Sequence, residues 1–217
     1  SFELLSGITV DFSIRHGVEV RNPLCEKHPW YVLMELSSPR DDASATLEVI
    51  LARALEQEVI CDAAIAANMR QRLGFWRLRE EIPAAQKPEG GSIKHDISLP
   101  IAAVPEFIEQ ADTAVIKLIP GARPAPFGHL GDGNIHYNVS QPIDSDAADF
   151  LARWRDVNAL VFAIVLKLGG SISAEHGIGV LKRDELPKVK DKVAMELMRS
   201  VKAMLDPLGI MNPGKVL

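Results

Sequence analysis

Four stretches of this chain gather residue types that can do chemistry at useful spacings. The richest is Gly128-His129-Leu130-Gly131-Asp132-Gly133-Asn134-Ile135-His136-Tyr137-Asn138. Asp-Gly between apolar residues is a strong hairpin signal. With Gly131 to Asn134 as the loop, Leu130 faces Ile135 and His129 faces His136. Directly opposed side chains in a hairpin have Cβ atoms about 5 Å apart, so two imidazoles placed this way can grip one metal ion. Asn138, two residues beyond His136, points to the same face, and a slip of one residue would turn both away. The second stretch is Ser171 to Gly179 (SISAEHGIG), with Glu175-His176 at its centre. Two histidines and one carboxylate with open positions form a common catalytic metal set, suited to zinc or another divalent ion. His129, His136 and Glu175 are therefore the expected ligands. Adjacent side chains diverge, so His176 is better placed as a base, and an imidazole can take a proton near neutral pH. The plainer reading is a polar hairpin whose histidines are satisfied by backbone carbonyls.

The other two stretches carry Arg79 and Lys94. A guanidinium fork and a lysine point charge can together clamp a carboxylate. Their plainer reading is solvation, since Arg79 shares its helix with Arg70, Arg72 and Arg77, and Lys94 alternates with apolar residues. His28 and His95 read as structural, and Trp30, Trp76 and Trp154 as core.

The elements that must position these groups follow from periodicity. Phe2 to Ile14 has apolar residues at roughly helical spacing, ended by Gly17. Trp30 to Leu36 reads as a short, largely buried strand. Ser44 to Ile60 is an amphipathic helix, and the alanine-rich segment 61–72 a second one. A helix begins at Phe75 and is kinked or ended by Pro83. Ile93, His95 and Ile97 alternate with Lys94, Asp96 and Ser98, the pattern of a half-exposed strand. Helices are expected at Val104 to Ile119, Asp144 to Leu168 and Val189 to Leu205, and the tail Asp206 to Leu217 is turn-rich. Few strands with helices between them indicate an α+β fold, with helices packed on one side of an antiparallel sheet. The order has no alternating strand–helix series, no internal repeat, no Rossmann fingerprint and no P-loop.

Bulk properties narrow the partners. Lysine and arginine number 24 against 29 acidic residues, a formal charge of −5 without a basic block, which argues against nucleic acid and a polybasic membrane anchor. Cys25 and Cys61 lack metal or redox spacing and read as reduced thiols. No apolar run reaches the ~18 residues of a spanning helix. No signal-peptide pattern is visible, and the chain opens on Ser1, so an upstream segment is compatible with it.

Taken together, FWRLREE (Phe75 to Glu81), KHDISLP (Lys94 to Pro100), GHLGDGNIHYN (Gly128 to Asn138), AEHGIG (Ala174 to Gly179) and DPLGIMNPGKVL (Asp206 to Leu217) resemble the C-terminal substrate domain of FAD-linked oxidases of the vanillyl-alcohol-oxidase type. The nearest branch resembles the D-2-hydroxyacid dehydrogenases, which include D-2-hydroxyglutarate dehydrogenase, D-lactate dehydrogenase and the glycolate oxidase flavoprotein subunit. The resemblance covers the chain from about residue 75 onward, and the first 75 residues are similar to the start of the same domain. It implies that residues 1–217 form one domain, a ferredoxin-like antiparallel sheet with flanking helices seated over a flavin. It also implies that His129, His136 and Glu175 bind a divalent metal, typically zinc. His176 would be the general base, Arg79 and Lys94 would hold the substrate carboxylate, Asn138 would contact substrate, and Asn212 would lie near the flavin. Relatives that take a second carboxylate can have a hydroxyl residue where this chain has Pro83, which speaks against hydroxyglutarate as substrate.

Nothing in the chain resembles the family's FAD-binding domain, so the isolated chain is expected to hold FAD poorly and to be inactive. The expected partners are a small 2-hydroxy acid, the chain's own N-terminal FAD domain and an electron acceptor, with a homodimer an allowed assembly. The expected compartment is the cytoplasm, or the mitochondrial matrix in a eukaryote. The competing functions are a catalytically silent module that binds metal or protein, and a hydrolase or oxygenase built on the two-His–one-carboxylate set alone.

Overall fold

The computed structural model describes residues 1–217. In chain order the elements are β1 (Phe2–Ser6), α1 (Gly7–His16), β2 (Trp30–Met34), α2 (Ala43–Glu56), α3 (Met69–Glu80), α4 (Ile82–Ala85), β3 (Ser92–Ser98), α5 (Val104–Leu118), β4 (Arg123–His129), β5 (Asn134–Ser140), α6 (Ala147–Ala152), α7 (Trp154–Lys167), α8 (Leu186–Val189) and α9 (Lys192–Leu205). The strands form one five-stranded sheet in the order β2-β1-β4-β5-β3, and every neighbouring pair is antiparallel. This is the expected α+β class.

Several sequence expectations change. The opening segment is strand then helix, because Phe2 to Ser6 pairs with both β2 and β4 and only Gly7 onward coils. The helices expected at 61–72 and from Phe75 are a single one, α3, which starts at Met69, where the Asn68 side chain accepts a hydrogen bond from the Gln71 N–H. That bond satisfies one of the helix's free amide donors. The long helix expected from Asp144 is two helices that break at Arg153. Strand β2 is an edge, and Trp30 and Val32 are exposed rather than core. Trp76 and Trp154 are half-buried.

Helices cover both faces of the sheet, not one. Because side chains alternate along a strand, each strand contributes to two cores. The larger core joins Leu4, Ile93, Ile97, Ile135, Tyr137 and Val139 to Phe107 and Val115 of α5 and to Val157, Val161 and Val165 of α7. The smaller cores join Leu5, Phe127 and Ala125 on the opposite face to Val10 and Phe12 of α1, Leu78 of α3, and Ile82 and Ala85 of α4. These smaller cores cover only part of their face. The remainder is where the polar residues converge.

Candidate metal and substrate site

Sheet pairing sets the site. Glu3 pairs with His129 and Leu5 with Phe127. Phe127 pairs with His136, Ala125 with Asn138 and His129 with Asn134. Lys94 pairs with Asn138 and Asp96 with His136. Paired residues share a face, so Glu3, Lys94, Asp96, His129, His136 and Asn138 all project from the side opposite the large core. The hairpin register differs from the expected one by two residues. The loop is Leu130 to Gly133, and His129 opposes Asn134 rather than His136. An even shift preserves the face, so the histidines are diagonal neighbours with ring centroids 6.1 Å apart. Gly133 sets this loop. Its φ is +77°, and a Cβ there would strike the Leu99 carbonyl.

The loop after α7 closes over this face, tied down by Asp96. One oxygen, Asp96 Oδ2, accepts the backbone N–H groups of Ala174 at 3.1 Å, Glu175 at 3.1 Å and His176 at 2.9 Å. Lys182 Nζ donates to the Asp96 carbonyl at 3.3 Å. Burial works to raise the Asp96 carboxyl, but the His176, Ala174 and Glu175 amides and the nearby His176 charge outweigh it and hold the group below the usual aspartate range.

This anchoring delivers Glu175 and His176 to His136. Glu175 Oε1 is 3.5 Å from His136 Nε2 and 3.7 Å from His176 Nε2. The His136 and His176 rings stack at 5.6 Å with a 25° interplanar angle. Asp96, His136, Glu175 and His176 each present one ligand atom, all within 4.8 Å of one another. Two ligands on a tetrahedral zinc, with bonds near 2.0–2.1 Å, are roughly 3.3 Å apart, so the His136–Glu175 spacing fits a shared ion. Metal binding needs neutral imidazoles. Burial, and behind it the positive charge of Arg79, pushes His136 below the usual histidine range against the opposing pull of Glu175 and Asp96. His129, the third ligand expected from the sequence, is not in this group, and Asp96 and His176 stand in it instead; the His129 ring is 6.1 Å from that of His136 and faces Glu3. Its Nδ1 is 3.0 Å from Glu3 Oε1.

Behind the imidazoles sits Arg79. It is buried, not solvated. Its Nε donates to Glu3 Oε2 at 3.1 Å, and its guanidinium carbon lies 4.8 Å from the centroid of the Phe127 ring. Burial works to raise the Glu3 carboxyl. Hydrogen bonds from Ser1 and His129 and the charges of His129 and Arg79 outweigh it, so Glu3 is held below the usual range. Asn138 is buried and its Nδ2 donates to Gln86 Oε1 at 2.7 Å. Lys94 is exposed on the same face. Asn212 is exposed in the tail with φ +46°. The tail reaches the site loop's far end, where the Val216 N–H donates to the Gly179 carbonyl at 2.8 Å. The structure therefore groups His136, Glu175 and His176 most tightly, sets His129, Arg79, Lys94 and Asn138 on the same sheet face, and leaves Asn212 with the tail.

Two residues of the site, Asp96 and Glu3, were missing from the sequence expectations. The alternation in β3 puts Asp96 on the Lys94 face and predicts it half-exposed, whereas it is buried. Glu3 had a detectable signal, being the lone charge in the otherwise uncharged run Phe2 to Val10. His95 is structural, as expected. Its Nδ1 lies 2.7 Å from the Tyr137 carbonyl, and burial pushes its pKa down to about 4. His28 packs against Tyr31, and both cysteines are free and exposed.

Comparison with known proteins gives this geometry a family. The chain is 36% identical over 216 residues to a protein of Stutzerimonas stutzeri named D-2-hydroxyglutarate dehydrogenase, covering 100% of this chain and 46% of the relative. It is 36% identical over 218 residues to the Arabidopsis thaliana protein named D-2-hydroxyglutarate dehydrogenase, mitochondrial, covering 100% and 38%. The Danio rerio protein of the same name is 33% identical over 221 residues, covering 100% and 39%. The chain thus spans less than half the length of these curated relatives. No helix is long and apolar enough to cross a membrane. The family model for the FAD linked oxidases, C-terminal domain, matches residues 1–216, and the chain belongs to that family.

Proposed function

We propose that this chain is the substrate- and metal-binding part of a flavin-dependent dehydrogenase that oxidises a D-2-hydroxy acid to the 2-oxo acid. The observation that carries the reading is the 3.5 Å approach of Glu175 Oε1 to His136 Nε2, with the His176 ring stacked alongside and a buried arginine behind. The family supplies the flavin, and the relatives named above supply the substrate class.

His136 and Glu175 would hold a divalent metal, zinc by donor type, with His129, whose ring is 6.1 Å from that of His136, as the third ligand. When bound, the metal supplies a Lewis acid that lowers the pKa of the substrate hydroxyl, and FAD supplies the acceptor for the C2 hydride. The chain's residues do the rest. The terminal amino groups of Arg79 and the ammonium of Lys94 orient the substrate carboxylate. Asn138, across the strand pair from Lys94, contacts substrate from the same face. His176, exposed beside Glu175, takes the hydroxyl proton. Asn212 and the tail lie toward the flavin. Arg79 and Lys94 account for one carboxylate, and Pro83, opening α4 four residues after Arg79, has no hydroxyl to hold a second. That speaks against hydroxyglutarate itself, the acid in the relatives' names.

The FAD is held by an N-terminal domain of the same polypeptide. Helix α9 and the tail expose Val193, Leu197, Met204, Leu205, Leu208 and Ile210, and exposed apolar side chains in this number are read as the face on which that domain docks.

The test is metal removal from the full-length enzyme, assayed in parallel with D-lactate and D-2-hydroxyglutarate. Chelation is expected to abolish turnover, zinc to restore it, and D-lactate to be the better substrate. Turnover that survives complete loss of metal would refute the metal's role. A clear preference for D-2-hydroxyglutarate would refute the Pro83 argument.

A further inference from the structure

We infer that Glu3 is a positioning residue that locks the metal half of the site to the carboxylate-binding half and fixes His129 as a ligand through Nε2. The inference rests on the function proposed above. Glu3 is 2% exposed, and a carboxylate is buried so deeply only when its oxygens are satisfied. Its partners account for both oxygens. The Ser1 hydroxyl donates to Oε1 at 2.6 Å. Arg79 Nε donates to Oε2 at 3.1 Å. His129 Nδ1 sits 3.0 Å from Oε1 and 2.9 Å from Oε2.

A carboxylate beside an arginine only accepts hydrogen bonds, so the hydrogen of the imidazole resides on Nδ1. Nε2 then keeps its lone pair and is the nitrogen available to a metal. A carboxylate on the far nitrogen also orients a ligating ring and raises its basicity. The same carboxylate occupies Arg79 through Nε alone. The two terminal amino groups are left to grip a substrate carboxylate end-on, and the guanidinium plane is set by the Phe127 ring beneath it. One buried carboxylate therefore sets the orientation of an imidazole and a guanidinium 50 residues apart in the chain (129 against 79).

The test replaces Glu3 by Gln in the full-length enzyme and measures zinc retention against a graded chelator, with KM and kcat for D-lactate. The glutamine amide can still accept from Arg79, but its NH₂ opposes an Nδ1–H and drives the hydrogen of His129 to Nε2. Zinc affinity is expected to fall about 10- to 100-fold, and KM to rise, at temperatures where circular dichroism shows the variant folded. Glu3→Gln can leave Arg79 buried without a counter-charge and prevent folding. The double variant Glu3→Met/Arg79→Met removes that charge at similar volume, leaves His129 Nδ1 no side-chain acceptor at position 3, and must show the same loss of zinc. Zinc affinity equal to the parent's in a folded variant overturns the role of Glu3 and leaves it a structural ion-pair partner. A parent enzyme that binds no zinc refutes the metal reading itself.

Discussion

Replacing Asp96 by Asn tests whether one carboxylate holds the site loop closed. The parent oxygen Asp96 Oδ2 accepts three backbone N–H groups, from Ala174, Glu175 and His176. A hydrogen bond to a charged acceptor contributes ~1.5–3 kcal/mol, against ~0.5–1.5 kcal/mol for a neutral one. Neutralising the acceptor therefore removes about 1 kcal/mol from each bond, and about 2–3 kcal/mol from loop docking if asparagine keeps its carbonyl toward the loop. Each ~1.4 kcal/mol is tenfold in an equilibrium, so opening of the loop should become roughly 30- to 150-fold more frequent. Native-state hydrogen exchange reads this directly at the three amides, while amides in α5 and α7 serve as internal controls.

Acid provides a second reading of the same contact. Asp96 is held below its ordinary value near 3.8 by the loop amides acting against burial. A carboxyl depressed in the folded state contributes stability that is complete above the unfolded value and lost as pH falls through the folded value. The stability difference between the parent and Asp96→Asn should thus be constant near neutral pH and shrink below about pH 3.8. Exchange at 174–176 that changes less than threefold, or a stability difference that ignores acid, would show that the loop is held by something other than this carboxylate.

Two further predictions probe the scaffold. Gly133→Ala forces a side chain into a φ of +77° and against the Leu99 carbonyl. The backbone cost alone is ~1–2 kcal/mol, so the melting temperature should fall by at least about 5 °C once the clash is added. Gly131→Ala, whose Cβ would meet only Phe2 Cβ at 3.7 Å, should be near neutral, and equal effects at both positions would refute the turn assignment. Tyr137→Phe removes the hydroxyl that donates to Asp112 Oδ1 at 2.9 Å. Burial raises the Asp112 carboxyl and this hydrogen bond partly offsets it. A raised carboxyl carries stability that is present in acid and lost as pH rises through the folded value. The variant should therefore lose about 1–3 kcal/mol near neutral pH and less at pH 4, as read by urea unfolding. A loss independent of pH would mean that Asp112 does not titrate against Tyr137.

The parts of the fold and site readable from the chain are those that depend on local period. The Asp-Gly turn and the two-residue alternation of β5 put His136 and Asn138 on one face, and an error of two in the hairpin register left that result intact. An error of one would have destroyed it. The direct opposition of His129 and His136 was not legible, because it depends on where the turn closes, and that is decided by Gly133 meeting the Leu99 backbone. The first strand was also hidden. Phe2 to Ser6 is followed without a break by a helix, so the apolar pattern ran through the junction as though it had one period. That junction concealed Glu3, whose role exists only once β1 pairs with β4.

Asp96 was concealed by a different rule. Alternation in β3 separates a core face from an outer face, and an outer face is ordinarily wet. Here that face is roofed by a loop about 80 residues further along the chain, with Asp96 bonded to His176 at a separation of 80. The two missed residues share one property: each is a carboxylate that depends on partners far along the chain (Arg79 and His129 for Glu3, residues 174–176 for Asp96), and burial of such a group costs several kcal/mol unless those partners arrive. The chemistry of this face is therefore coupled to assembly of the sheet and its roof. Glu3 cannot be satisfied until Arg79 and His129 reach it, nor Asp96 until residues 174–176 do. The expected consequence is that substitutions at either carboxylate disturb site geometry and stability together, whereas changes at exposed Lys94 disturb substrate binding alone.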